Sequence, residues 1–124
     1  MVKIAKPKGK YRSTFEYTIA KQLGDRAMYE SISIPYIVPT SKRKYTPDFI
    51  LDNGIIVECK GRFTAIDRKK MILVREANPT LDIRLLFQNA NVRLSRTSKT
   101  TYGDWATKNN FIWANKIIPE EWLL

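Results

Sequence analysis

Apolar and polar residues alternate along the chain in runs short enough to be assigned one by one. "STFEYTIAKQL", residues 13–23, repeats apolar residues at helical spacing, with Phe15, Ile19 and Leu23 on one face and Gly24 as a stop. "AMYESISI" then alternates as a strand with Met28, Glu30, Ile32 and Ile34 on one side, although the charge of Glu30 interrupts that side. In "PYIVP", Pro35 and Pro39 bracket three apolar residues. Proline lacks a backbone donor and keeps its neighbour extended, so this stretch predicts a stiff connector rather than a central strand. Basic "SKRK" leads into "YTPDFILDNGIIVECKG", two apolar runs around Asp-Asn-Gly, which predicts a hairpin.

Beyond the hairpin, "TAIDRKKMILVREA" predicts a second helix, opened by a capping box from Thr64 to Asp67, with Ile66, Leu73 and Ala77 facing inward. "NPTLD" turns the chain into a strand, "IRLLFQ". "TTYGDWATKNN" reads as a short capped helix, "FIWA" as a short strand and "PEEWLL" as a helical turn entered at Pro119. No repeat, low-complexity segment or linker divides residues 13–124, so one mixed α/β domain is expected behind a basic arm of residues 1–12.

The register of the hairpin decides which groups meet. Strand alternation puts Glu58 and Lys60 on one face and Cys59 on the other. A two-residue turn, Asn53-Gly54, would set Asp48 opposite Cys59. A three-residue turn, Asp52-Asn53-Gly54, sets Asp48 opposite Glu58 and Ile50 opposite Ile56. It needs a left-handed third residue, and glycine stands there. It also gathers the charged groups on one side and leaves Phe49, Leu51, Ile55 and Val57 on the other. The three-residue turn, with a positive φ at Gly54, is therefore expected.

Composition narrows what such residues can do. At 124 residues, 44% hydrophobic and 27% charged, the chain fits one globular domain. No apolar run approaches membrane-spanning length, and "MVKIAKPKGKYR" lacks the apolar middle of a signal peptide, so a cytoplasmic location is expected. A single cysteine, Cys59, excludes an internal disulfide and a thiolate zinc cluster. The absence of histidine excludes the usual triads, histidine-dependent nucleases and histidine zinc sites, and there is no Walker-type loop. Twenty-two Lys and Arg against twelve Asp and Glu give a net charge of +10, which points to a polyanionic partner, most often nucleic acid. A generally basic surface without a specific partner is the alternative.

Two facing carboxylates without histidine suit a hard cation such as Mg²⁺, which binds a few carboxylates, waters and a substrate phosphate. Lys60 adds positive charge on the same face, able to stabilise an attacking hydroxide or the charge of a phosphorane-like transition state. The plain alternative makes Asp48 a turn cap and Glu58 and Lys60 a solvated strand edge. Glu16 also has two readings. It can complete a capping box with Ser13 in "STFE", or bring a further acid to a second metal site.

Pro-Asp, nine residues, then Glu-Cys-Lys resembles the PD-(D/E)xK nuclease superfamily. More specifically, the chain resembles the bacteriophage endonuclease I family, the T-seven-type Holliday-junction-resolving enzymes. That likeness runs from about Tyr11 to Trp122 through "YRSTFE", "PYIVP", "YTPDFILDNGIIVECKG", "DRKK", "LDIRLLF", "TYG" and "IIPEEW". The resemblance implies a restriction-endonuclease-like core, a central mixed sheet flanked by helices, and a Mg²⁺-dependent endonuclease selective for four-way and branched DNA. Mn²⁺ would substitute, and each site would take two ions. Glu16, Asp48 and Glu58 match the metal-binding acids, the carbonyl of Cys59 a backbone ligand, and Lys60 the catalytic lysine. The resemblance further implies a domain-swapped homodimer, with residues 13–34 exchanged across a bridge of residues 35–44, so that Glu16 enters the partner's site. Candidate phosphate contacts are Lys3, Lys6, Lys8, Lys10, Arg12, Arg62, Arg68, Lys69 and Lys70, with solvated surface as the alternative for any one of them. Two other functions stay open: a sequence-specific restriction-like endonuclease and a non-catalytic basic DNA-binding protein.

Overall fold

Ser13 starts the first helix. In the computed structural model, which describes residues 10–38 and 41–124, its hydroxyl accepts the Glu16 amide at 3.0 Å. Such a cap stabilises by about 1 kcal/mol. Helix α1 spans Thr14–Leu23 and ends at Gly24. Ile19 and Leu23 are buried as the spacing predicts, whereas Phe15 is half-buried and Glu16 lies inside.

Strand β1, Ala27–Tyr29, is shorter than "AMYESISI" predicts. Glu30 takes φ 45°, a left-handed conformation that breaks an extended run, and Met28, expected to face inward, is exposed. The stretch expected to be a stiff connector stays out of the main sheet but is itself paired. Ile34–Val38 forms β2, which pairs antiparallel with β3, Ser41–Tyr45, in a two-stranded ribbon apart from the main sheet. A two-stranded ribbon has an open edge on each side, and Pro35 is tolerated there. Pro39 lies outside the described residues.

Strands β4, Phe49–Leu51, and β5, Ile56–Lys60, form the expected hairpin. Phe49 pairs with Val57 and Ile50 with Ile56, a register that sets Asp48 level with Glu58. The amide of Leu51 donates to the Ile55 carbonyl and that of Gly54 to the Leu51 carbonyl, each at 2.8 Å. Gly54 has φ 91°, so the three-residue turn forms as its glycine predicts.

The main sheet runs in the order β1-β4-β5-β6-β7, with β6 at Ile83–Phe87 and β7 at Ile112–Asn115. Its first two pairings are antiparallel and its last two parallel. Parallel neighbours need crossovers, supplied by α2, Ala65–Ala77, and α3, Tyr102–Lys108. Both helices open with capping boxes, Thr64 with Asp67 and Thr101 with Asp104. The expected inward face of α2 is shifted: Leu73 is half-buried against the core, but Met71 and Val74 are the buried residues, Ala77 is exposed, and Ile66 is 82% exposed. Neighbouring apolar stripes compete on this helix, and the sheet beneath selects the one through Met71 and Val74.

Each face of the sheet carries its own core. One joins Tyr45, Ile56, Phe63, Val74, Leu85 and Phe87; the other joins Ile19 and Leu23 to Phe49, Val57, Leu86 and Trp122. Each such side chain, fully buried, contributes roughly 1.5–3 kcal/mol. Gly103 lets α3 approach β7, since a Cβ there would come within 2.7 Å of the Trp113 ring. Among the described residues, no helix is long and apolar enough to cross a membrane.

Candidate active site

Lys60 closes β5 and Asp48 immediately precedes β4, so both stand at the open end of the hairpin, away from the turn. Parallel strand β6 ends beside them, and the carboxyl ends of parallel strands are where α/β sheets leave room for ligands. Two further acids arrive from elsewhere. The first turn of α1 brings Glu16, and the backbone past β1 brings Glu30, whose amide donates to the Asp48 carbonyl at 3.0 Å.

One carboxylate oxygen from each of Glu16, Glu30 and Asp48 lies within 4.8 Å of the other two. Asp48 is fixed by the Cys59 amide, which donates to Oδ2 at 2.8 Å. Glu58 accepts the Tyr45 hydroxyl on Oε1 at 2.7 Å, and its Oε2 lies 3.4 Å from Lys60 Nζ. Lys60 Nζ is also 3.4 Å from Asp67 Oδ1. Glu16 Oε1 accepts the Tyr29 hydroxyl at 2.6 Å and the Arg12 amide at 3.2 Å. Glu16 therefore belongs to this cluster: Ser13 caps its amide, but its carboxylate goes to Tyr29 and Arg12.

Burial sets the electrostatics. Desolvation, reinforced by the charges of Glu58 and Glu16, pushes the Asp48 pKa up to about 8 against the Cys59 amide and Lys60. Burial also raises Glu58, although Lys60 and Tyr45 oppose it. For Lys60, burial would depress the pKa, but Glu58, Asp67 and Asp48 outweigh it and hold the ammonium group charged. Acids thus outnumber their cationic partners in a dry place, and a hard divalent cation would relieve that imbalance. All the donors are oxygens, which fits a cation of the Mg²⁺ kind. The Cys59 thiol, raised by burial, belongs to the core beneath α1, while Cys59 also borders the crevice beside Lys60.

The predicted phosphate contacts are scattered around this centre. Arg62 lines a crevice of about 390 Å³ together with Ser13, Glu16, Lys60 and Gln88. Arg12 is ion-paired with Glu30 at 3.0 Å, and Lys10 Nζ sits 5.3 Å from the Tyr11 ring centre. Lys70 lies over the Tyr45 ring at 5.6 Å, and Arg68 donates to the Phe63 carbonyl at 2.7 Å. Lys69 is exposed. Lys3, Lys6 and Lys8 lie outside the described residues.

Sequence reading did not assign Glu30, Tyr29 or Tyr45 to the site, and it gave Asp67 only a capping role. A signal for Glu30 existed, because it interrupts an apolar strand face. Nothing local marks the two tyrosines, which meet their acids across 13 residues in each case.

A mixed sheet flanked by helices, with buried acids and one lysine at its strand ends, defines an acid–lysine site of a kind suited to phosphate chemistry. The chain belongs to the phage endonuclease I family, which it matches over residues 1–124. It is 43% identical over 118 residues to "Endonuclease I" of Escherichia phage T7, an overlap of 93% of this chain and 79% of that relative. Against "Endodeoxyribonuclease 1" of Enterobacteria phage T3 it is 45% identical over 112 residues, covering 88% of this chain and 74% of the relative.

Proposed function

We propose that this protein is a DNA endonuclease that resolves four-way and branched junctions by phosphodiester hydrolysis, using Mg²⁺ or Mn²⁺, two ions per site, in the host cytoplasm. The observation that carries this reading is the convergence of Glu16, Glu30 and Asp48 within 4.8 Å, beside the Glu58–Lys60 pair. The relatives' names, an endonuclease and an endodeoxyribonuclease, and the net charge of +10 support DNA as the substrate.

Glu16, Asp48 and Glu58, with the Cys59 carbonyl, would hold the cations, which when bound supply Lewis acidity and activate water. The chain's own groups do the positioning. Cys59 N–H occupies Asp48 Oδ2 and leaves the other oxygen available. Tyr45 and Lys60 hold Glu58 from its two sides. Lys60, kept charged by its carboxylate neighbours, stands where negative charge builds on the phosphoryl oxygens. Arg62 in the same crevice is placed for a neighbouring phosphate.

The homodimer with residues 13–34 exchanged is part of this reading. The exchange, across a bridge of residues 35–44, would carry Glu16 and Glu30 into the partner's site.

A labelled four-way junction with Mg²⁺ tests the function. Lys60→Ala and Asp48→Asn should bind the junction and fail to cut it; undiminished cutting by both removes the roles assigned to them. Cutting that follows base sequence rather than branching would favour a restriction-like enzyme. A monomer by light scattering would remove the exchange.

A further inference from the structure

The acid–lysine crevice continues past its rim. Thr14, Phe15 and Gln88 line it and also line a second open groove of about 610 Å³, completed by Thr18, Asn89 and Lys116. None of these six residues is acidic, in contrast to the crevice beside them. The groove is therefore a cationic and amide-lined extension of the site, with the half-buried Phe15 at the junction of the two.

Its far wall is rigid. Lys116 has φ 73°, a left-handed conformation that costs a side-chain-bearing residue roughly 1–2 kcal/mol. Neighbouring bonds hold it there: its amide donates to the Phe87 carbonyl at 2.8 Å and the Ile117 amide to the Asn115 carbonyl at 2.9 Å. Asn115 Oδ1 accepts the Ala90 amide at 2.8 Å, tying this segment to the one that carries Gln88 and Asn89. A strained backbone at a groove-lining cation is the kind of feature found where function over-determines conformation.

We propose that this groove is a subsite for the DNA strand beyond the bond that is cut, with Lys116 contacting a flanking phosphate and Gln88 and Asn89 offering neutral donors. The inference rests on the endonuclease reading above, because continuity with that crevice is what names the occupant. Electrostatic contact with a phosphate is independent of base identity, so the subsite holds and aligns the strand without reading sequence.

Lys116→Asn tests it, since asparagine tolerates the left-handed backbone and leaves folding intact. Junction binding is measured by titration in EDTA across a salt series, beside melting temperature. The slope of log affinity against log salt should fall by about 0.9 relative to wild type, the loss of one phosphate contact, with melting unchanged or raised. Lys116→Arg should restore the slope. A single neutral methylphosphonate, moved along the strand flanking the cut, should weaken wild type at one position where it adds nothing in Lys116→Asn. A wild-type slope in Lys116→Asn, or additive losses at every position, overturns the subsite while leaving the endonuclease standing. Wild type that neither binds nor cuts junctions overturns both.

Discussion

The two ends of the β4–β5 hairpin obey opposite rules. At the turn, Asp52, Asn53 and Gly54 are exposed, and their polar groups face water or have partners. Asn53 Oδ1 accepts the Ile55 amide at 3.1 Å, and its Nδ2 reaches the Trp122 carbonyl at 2.7 Å, pinning the last turn of the chain. At the open end, Asp48 and Glu58 are 7% and 8% exposed and repel each other. One amide, one hydroxyl and one ammonium group offset part of that cost, and the pKa of both acids remains raised. The turn end serves folding. The open end gives up stability to keep buried carboxyl groups together, an arrangement suited to taking up a cation.

The largest effect should come from removing charge at the open end. Lys60→Ala should lower junction cleavage by about 10²–10³-fold, on the scale of losing one transition-state donor, with binding retained. Asp48→Asn should also abolish cutting yet raise the melting temperature of the metal-free protein, because it removes a buried, repelled carboxylate. A lower melting temperature in Asp48→Asn would break the contrast between the two ends.

The next effect is on pH. The Asp48 pKa rises from 3.8 to about 8 on folding, so the folded chain binds a proton there that the unfolded chain releases. This contribution to stability is complete below about pH 4 and disappears as pH rises through about 8. Metal-free protein should therefore lose melting temperature across that window, and Mg²⁺ should restore more of it at pH 8 than at pH 5. Asp67, held low by the Thr64 amide and by Lys60 despite partial burial, acts in the opposite direction only in more acid solution. Equal Mg²⁺ stabilisation at both pH values would count against an acid cluster awaiting a cation.

Smaller changes sharpen the picture. Tyr45→Phe keeps the ring but leaves Glu58 Oε1 without its donor, at a cost of about 1–3 kcal/mol in urea unfolding, together with slower cleavage. At the other end, a Cβ on Gly54 would meet nothing within 4 Å, so Gly54→Ala tests backbone strain alone. It should cost about 1 kcal/mol and leave cleavage at the wild-type rate. Impaired cleavage would show that the two ends are coupled.

Much of the site was legible in a short stretch. The pairing of Asp48 with Glu58 follows from the length of the turn, and that length follows from glycine at the one position needing a left-handed backbone. Glu16 was legible as a candidate but ambiguous, because Ser13 offered it an equally good local role; only the approach of Tyr29 shows where its carboxylate goes. The ribbon was missed because its prolines predict extension, which a strand and a connector share. Ile66 was misassigned because helical periodicity specifies a stripe's spacing, not which of two neighbouring stripes finds a sheet.

The sequence by itself determined the helices, their caps, the hairpin register and a net charge suited to a polyanion, since each depends on neighbours along the chain or on total charge. Tertiary structure alone decided that Glu30 joins Glu16 and Asp48, that Tyr45 and Lys60 grip Glu58, and that Lys116 stands beside the crevice. Those relations depend on which distant segments the two cores press together, and no local pattern encodes a distance through space.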